Sequence, residues 1–133
     1  MSGRDFGSRH DAAIYFVYSG NMESIDAPTL LSALAHDGRL AVFRLLVQAG
    51  PEGLAAGEIA RRTGALPNTL SANLAILSQA GLTASRREGR SIIYRADYAR
   101  MSALLAFLVE DCCQGSPEIC APLIDVARAC AAC

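Results

Sequence analysis

The chain has 133 residues, a formal charge of −1, 52% apolar side chains, 6% aromatics and no Trp, which predicts one domain with an aliphatic core plus tails. That apolar content excludes a disordered chain, and no apolar run approaches the ~20 residues of a membrane-spanning helix. The N-terminus lacks the basic, apolar and cleavage-site order of an export signal, so the chain reads as cytoplasmic, with no membrane partner.

Residues 1–25 have neither a helical stripe nor a cap and read as a poorly ordered tail; an over-extended start up to Met22 would look the same. From Asp26 the pattern turns helical. Asp26 can cap, Pro28 suits a first turn, and Leu30, Leu31 and Leu34 form a stripe ending near His36, read as a helix-end residue. A second helix is predicted over about 37–49, with Leu40, Phe43, Leu46 and Val47 on one face and Gly50-Pro51 as its stop. A third covers roughly 55–63, with Ile59 and Ala60 inward, Arg61 and Arg62 outward, and Gly64 at its end.

The fourth helix, about 67–80, has Leu70, Leu74 and Leu77 as its buried edge and Gly81 as its close. Opposite sit Asn68, Thr69, Ser71, Ala72 and Ala75, and no charged residue occurs from Pro67 through Ala80. A solvated helix face normally carries Glu and Lys, so this one suits contact with another molecule. Period-two sequence follows: 82–87 and 91–96 flank Glu88-Gly89-Arg90 as a β-hairpin. A long helix from Asp97 then steps through Tyr98, Met101, Leu105, Leu108 and Cys112, a narrow seam of the kind used between partner helices. Gly115 and Pro117 break it, and a short last helix is expected around 123–129.

This order predicts a mainly α fold with a small β-hairpin: a winged helix-turn-helix in residues 26–114, followed by a cysteine-containing tail, 115–133. In that architecture the second helix of the pair enters the DNA major groove and the hairpin reaches along the backbone. Charge agrees. All 12 cations are Arg, and seven of them (61, 62, 86, 87, 90, 95 and 100) fall in one stretch against two acids, Glu88 and Asp97. A basic segment inside an acidic chain points to a localised polyanion contact.

The five cysteines, Cys112, Cys113, Cys120, Cys130 and Cys133, all lie at the C-terminal end. An odd number without an export signal does not fit a disulfide framework and leaves metal, metalloid or redox chemistry. An enzyme is not expected. The chain has no phosphate-binding Gly loop, metalloprotease helix or nucleophile elbow. A reductase loop of the phosphatase type needs Arg six residues after its Cys, where Glu118, Ile119 and Val126 stand instead.

The run Ala33-Leu34-Ala35, Arg39, Phe43, Leu45-Leu46, Glu58-Ile59-Ala60, Leu70-Ser71-x-x-Leu74, Leu77, Ala80-Gly81-Leu82, Arg87-x-Gly89-Arg90 and Tyr94 resembles the ArsR/SmtB metalloregulatory repressors over residues 26–113. The resemblance implies a homodimer, built on the first and last helices, that represses from double-stranded operator DNA until an inducer ion binds. It implies base or phosphate contacts from Asn68, Thr69, Ser71, Ala72 and Asn73, and phosphate contacts from Arg86, Arg87 and Arg90. Two positions depart from the family pattern: Leu66 stands where a Ser cap is usual, and Asn73 where His is frequent.

Family sites with a Cys-x-Cys on the first helix of the reading pair, or Asp and His pairs on the last helix, have no counterpart here. What remains is Cys112-Cys113-x6-Cys120. Neighbouring helix residues point about 100° apart, so the break at Gly115 to Pro117 is needed to bring in a third sulfur. Three thiolates suit a soft, three-coordinate centre. The Cys-Cys-x-Gly pattern looks like the site of arsenic-responsive members, which implies arsenic(III) or antimony(III) as inducer at Cys112, Cys113 and Cys120, with no organic cofactor. Cys130 and Cys133 form a possible second thiol pair, including for a four-thiolate zinc site. Cadmium, lead, zinc, methylated arsenic(III) or a thiol redox switch on the same fold remain the alternatives.

Overall fold

A computed structural model describes residues 26–110 and 117–131; the expected N-terminal tail lies outside them. In chain order they form α1 (Ala27–Leu34), α2 (Asp37–Ala49), β1 (Leu54–Ala55), α3 (Ala56–Thr63), α4 (Pro67–Gln79), β2 (Thr83–Glu88), β3 (Ser91–Ala96), α5 (Tyr98–Val109) and α6 (Pro117–Ala131). The winged helix-turn-helix read from the sequence is present: α3 and α4 are the pair, and β2–β3 is the wing.

Local chemistry explains where the helices begin. Asp26 caps α1, its Oδ1 accepting from the Thr29 amide at 3.3 Å and its Oδ2 from the Thr29 hydroxyl at 2.6 Å. His36 belongs to the start of α2 rather than the end of α1: its Nδ1 accepts from the amides of Gly38 at 3.1 Å and Arg39 at 3.3 Å. Arg39 reaches back, its Nε donating to the Ala33 carbonyl at 2.6 Å, so the α1–α2 corner satisfies backbone groups on both sides. Asp97 caps α5 by accepting from the Arg100 amide at 2.9 Å.

The core is aliphatic, with Leu30, Leu46, Ile59, Leu77 and Leu82 essentially free of solvent. Each such side chain contributes roughly 1.5–3 kcal/mol by leaving water. Some predicted stripes are rotated. α1 buries Ala27, Leu30 and Ala33 and leaves Leu31 exposed; α2 buries Val42, Phe43 and Leu46 and leaves Leu40 exposed. On α5, Leu104 is the buried residue, whereas the seam residues Leu105 and Leu108 are about half exposed, at 53% and 50%. A groove of about 320 Å³, lined by Leu34, Leu40, Phe43, Val47, Met101 and Leu105 among others, opens beside them.

The sheet has three strands, in the order β1-β3-β2, rather than the two of the expected hairpin. β1 is only two residues long and pairs antiparallel with β3, Leu54 opposite Tyr94 and Ala55 opposite Ile93. Gly53 makes that approach possible. It has φ +76°, and a Cβ there would lie 2.3 Å from the Tyr94 carbonyl oxygen. Across the wing, Glu88 pairs with Ser91 around the two-residue loop Gly89-Arg90.

The C-terminal elements also differ from expectation. α5 ends at Val109 because Glu110 turns to extended backbone (ψ 138°), so the long helix stops before Cys112, which lies outside the described residues. α6 is longer than the expected 123–129: it starts with Pro117, whose fixed φ suits a first turn, and it carries Pro122 inside. Among the described residues, no helix is long and apolar enough to cross a membrane.

Two glycine substitutions separate conformational strain from steric contact. Gly89→Ala, at φ +62° with open space around the new Cβ, is expected to cost about 1–2 kcal/mol. Gly53→Ala adds a backbone clash and is expected to cost about 3 kcal/mol or more. Urea unfolding of both variants checks this; equal midpoints would contradict the role given to β1.

Candidate nucleic-acid interface

The turn between α3 and α4 is built from four residues with distinct jobs. Gly64 closes α3 in the left-handed region (φ 73°, ψ 10°), its amide donating to the Ala60 carbonyl at 2.8 Å. The Thr63 hydroxyl donates to the Ile59 carbonyl at 2.8 Å and accepts from the Ala65 amide at 3.3 Å. Leu66 is the N-cap of α4, and among the described residues no side chain makes a capping hydrogen bond there. Pro67, at the first helical position, has no amide hydrogen to satisfy.

α4 is seated by Leu70, Leu74 and Leu77, and it packs against α1, α2 and β2. Its opposite side presents Asn68, Thr69, Ser71 and Ala72 to solvent, together with Ala75. Asn73 departs from the sequence expectation. It is only 5% exposed, and its Nδ2 would lie 3.0 Å from a Cβ on Gly38 at the start of α2. The reason is periodicity: Asn73 stands three residues after Leu70 and four before Leu77, on the edge the helix buries. Asn73 is therefore a packing residue between α4 and α2, removed from the exposed reading face.

The wing carries three expected arginines, and the structure divides their roles. Arg86 is engaged within the chain, its Nε donating to Glu88 Oε2 at 2.8 Å and its Nη2 to the Glu52 carbonyl at 2.9 Å. It ties the wing to the loop before β1. Arg87 and Arg90 are exposed, with no such contacts among the described residues. Arg87 lies opposite Ile92, on the sheet face that also carries Tyr94 and Ala96, while Arg86 and Glu88 occupy the other face.

On α3, Arg61 and Arg62 both hydrogen-bond to Glu58, with Arg62 Nε 2.6 Å from Glu58 Oε2. The Arg61 bond, then the Arg62 bond, lower the Glu58 carboxyl below its ordinary value. What this exposed network adds to stability is small; it is present above the ordinary carboxylate range and fades as pH falls through the lowered value. Part of the basic charge counted in the sequence is thus already paired.

The thiol cluster is only partly in view. Cys120 lies on α6, half-buried, and is disulfide-bonded. Cys112, Cys113 and Cys133 lie outside the described residues, as does the side chain of Cys130. Among the described residues, no three His, Cys, Asp or Glu side chains come together as a metal site.

Residues 34–86 match the helix-turn-helix domain family. Over 82 residues the chain is 34% identical to the HTH-type transcriptional regulator YgaV of Escherichia coli K12, covering 62% of this chain and 81% of that protein. The solution structure of the homodimeric winged helix-turn-helix DNA-binding domain Mb0332 from Mycobacterium bovis, described as a possible ArsR-family regulator, is 37% identical. It superposes with a TM-score of 0.50, covering 63% of this chain and 78% of that one. A possible transcriptional regulator for arsenical resistance is 26% identical, with a TM-score of 0.52 and coverage of 60% and 79%. With reading helix, wing and turn in place on this scaffold, the chain belongs to the helix-turn-helix transcriptional regulators, of the winged, ArsR-like type.

Proposed function

We propose that this chain is a homodimeric repressor of an arsenic-resistance operon in the cytoplasm, released from operator DNA when arsenic(III) or antimony(III) binds Cys112, Cys113 and Cys120. The observation that carries the DNA half of this reading is the uncharged, exposed side of α4 together with the exposed wing arginines Arg87 and Arg90. Such a surface slips into a groove while cations take the flanking phosphates. The half-exposed Leu105 and Leu108 on α5, with exposed Leu31 on α1, supply the apolar surface for the second copy. That arrangement agrees with the homodimeric state of the Mycobacterium bovis neighbour.

Support for the inducer is the donor set: two adjacent cysteines, a Gly-Ser-Pro break, and Cys120 carried on a separate helix. Three reduced thiolates would hold a soft trivalent centre. Drawing α6 toward the end of α5 strains the same helix that pairs the subunits, so the spacing of the two reading helices changes. A coupling of only about 1–3 kcal/mol alters DNA affinity by 5–150-fold.

One observation favours a second reading. Cys120 stands in a disulfide, so the three-thiolate site requires its reduction first. A thiol switch would use that bond itself: two thiols lose two electrons and two protons to an oxidant such as peroxide, and Cys120 on α6 is locked without any ion.

Titrating the reduced protein on duplex DNA with arsenite, antimonite, zinc, cadmium and peroxide separates these readings. Release by arsenite and antimonite is expected, abolished in Cys120→Ser while methylated arsenite, which needs two thiolates, still acts. Arsenite release undiminished in that variant contradicts the three-sulfur site, and release by peroxide alone favours the switch. At the wing, Arg87→Ala and Arg90→Ala are each expected to weaken binding to any duplex and to reduce the salt slope by about 1, with Tm unchanged. Arg86→Ala, which frees the Glu52 carbonyl, is expected to lower Tm as well.

A further inference from the structure

Leu66 is the most exposed large apolar side chain among the described residues, at 71%. It occupies the N-cap of α4, where a Ser, Thr, Asp or Asn would stabilise the helix, and no side chain among the described residues replaces that bond. Two stabilising options are therefore declined at one position: a polar cap, and the removal of apolar area from water. The position is also the entrance to the reading helix.

The neighbours on the exposed side share one chemistry. Asn68, Thr69, Ser71, Ala72 and Ala75 are exposed, and α4 carries no Arg, Lys, Asp or Glu. In the major groove the commonest specific contact is a bidentate Arg or Lys on guanine, which this helix cannot make. Asn pairs bidentately with adenine, and apolar groups such as Ala and the Thr methyl contact the thymine 5-methyl group.

We infer that Leu66, with the Thr69 methyl and Ala72, reads thymine 5-methyl groups, and that Asn68 reads an adenine edge, so the half-site core under α4 consists of A·T pairs. This inference rests on the DNA-binding reading above and names the sequence class that the reading helix selects. Leu66 is a specificity residue: wing arginines hold the backbone without regard to sequence, and Leu66 supplies discrimination.

The test uses the full-length protein to select duplexes from a random-sequence pool. The best duplex is resynthesised with deoxyuridine replacing thymidine one position at a time, which removes only the methyl group. The expected core is A·T, and at least one replacement per half-site weakens wild-type binding about fourfold. Leu66→Ala should lose the penalty at one of these positions in each half-site and keep those supplied by Thr69 and Ala72. Leu66→Ser restores a cap, so its Tm should be no lower than wild type while the same discrimination is lost, which separates reading from folding. A selected core of G·C pairs, or deoxyuridine duplexes bound as tightly as thymidine ones throughout, overturns the inference and leaves DNA binding intact. Methyl penalties left unchanged at every position in Leu66→Ala overturn the role of Leu66. No enrichment, with no binding at low salt, overturns the DNA-binding reading as well.

Discussion

The leucine edge of α4 has to be out of water, and the orientation of the reading helix follows from that requirement. Leu70, Leu74 and Leu77 are nearly solvent-free, held by contacts to α1, α2 and β2. With that edge fixed, the 3.6-residue period leaves Asn68, Ala72 and Ala75 facing away from the core. Asn73 is carried to the buried side, against the first turn of α2 near Gly38.

The wing is held by a similar economy of contacts. β3 is the central strand, with β1 on one side and β2 on the other, so the short β1 anchors a hairpin that would otherwise have a bare edge. Arg86 adds a second tie through the Glu52 carbonyl. At the other end of the sheet, the Asp97 amide donates to the Leu82 carbonyl at 2.8 Å and the Tyr98 hydroxyl donates to the Val47 carbonyl at 3.0 Å. These bonds connect wing, core and the start of α5.

The surface left over divides by chemistry. Around α4 it is uncharged, and on the wing it carries the exposed Arg87 and Arg90 beside the Arg86–Glu88 pair, fitting a groove and its phosphates. On α5 it is aliphatic, with Leu105, Leu108 and Val109 exposed, and α6 continues in the same character with Ile119, Leu123, Ile124 and Val126. An apolar surface of this kind is covered in an assembly more readily than in an isolated subunit.

Much of this was readable from residue order. The helix boundaries followed from Asp26, Gly64, Pro67 and Gly81, and the wing from its alternation around Gly89, because caps, glycine turns and period-two patterning act over a few residues. The leucine spacing of α4 likewise announced its buried edge. Distance-dependent features were not readable. β1 exists only because Gly53 meets Tyr94 across the sheet, and Arg86 turns to a carbonyl 34 residues away. Which of Leu104 and Leu105 enters the core, and that Asn73 is buried, depended on neighbours that only the folded chain brings into contact. Local backbone preferences are written in short stretches of sequence; the choice of which face is dry is made by whatever packs against it.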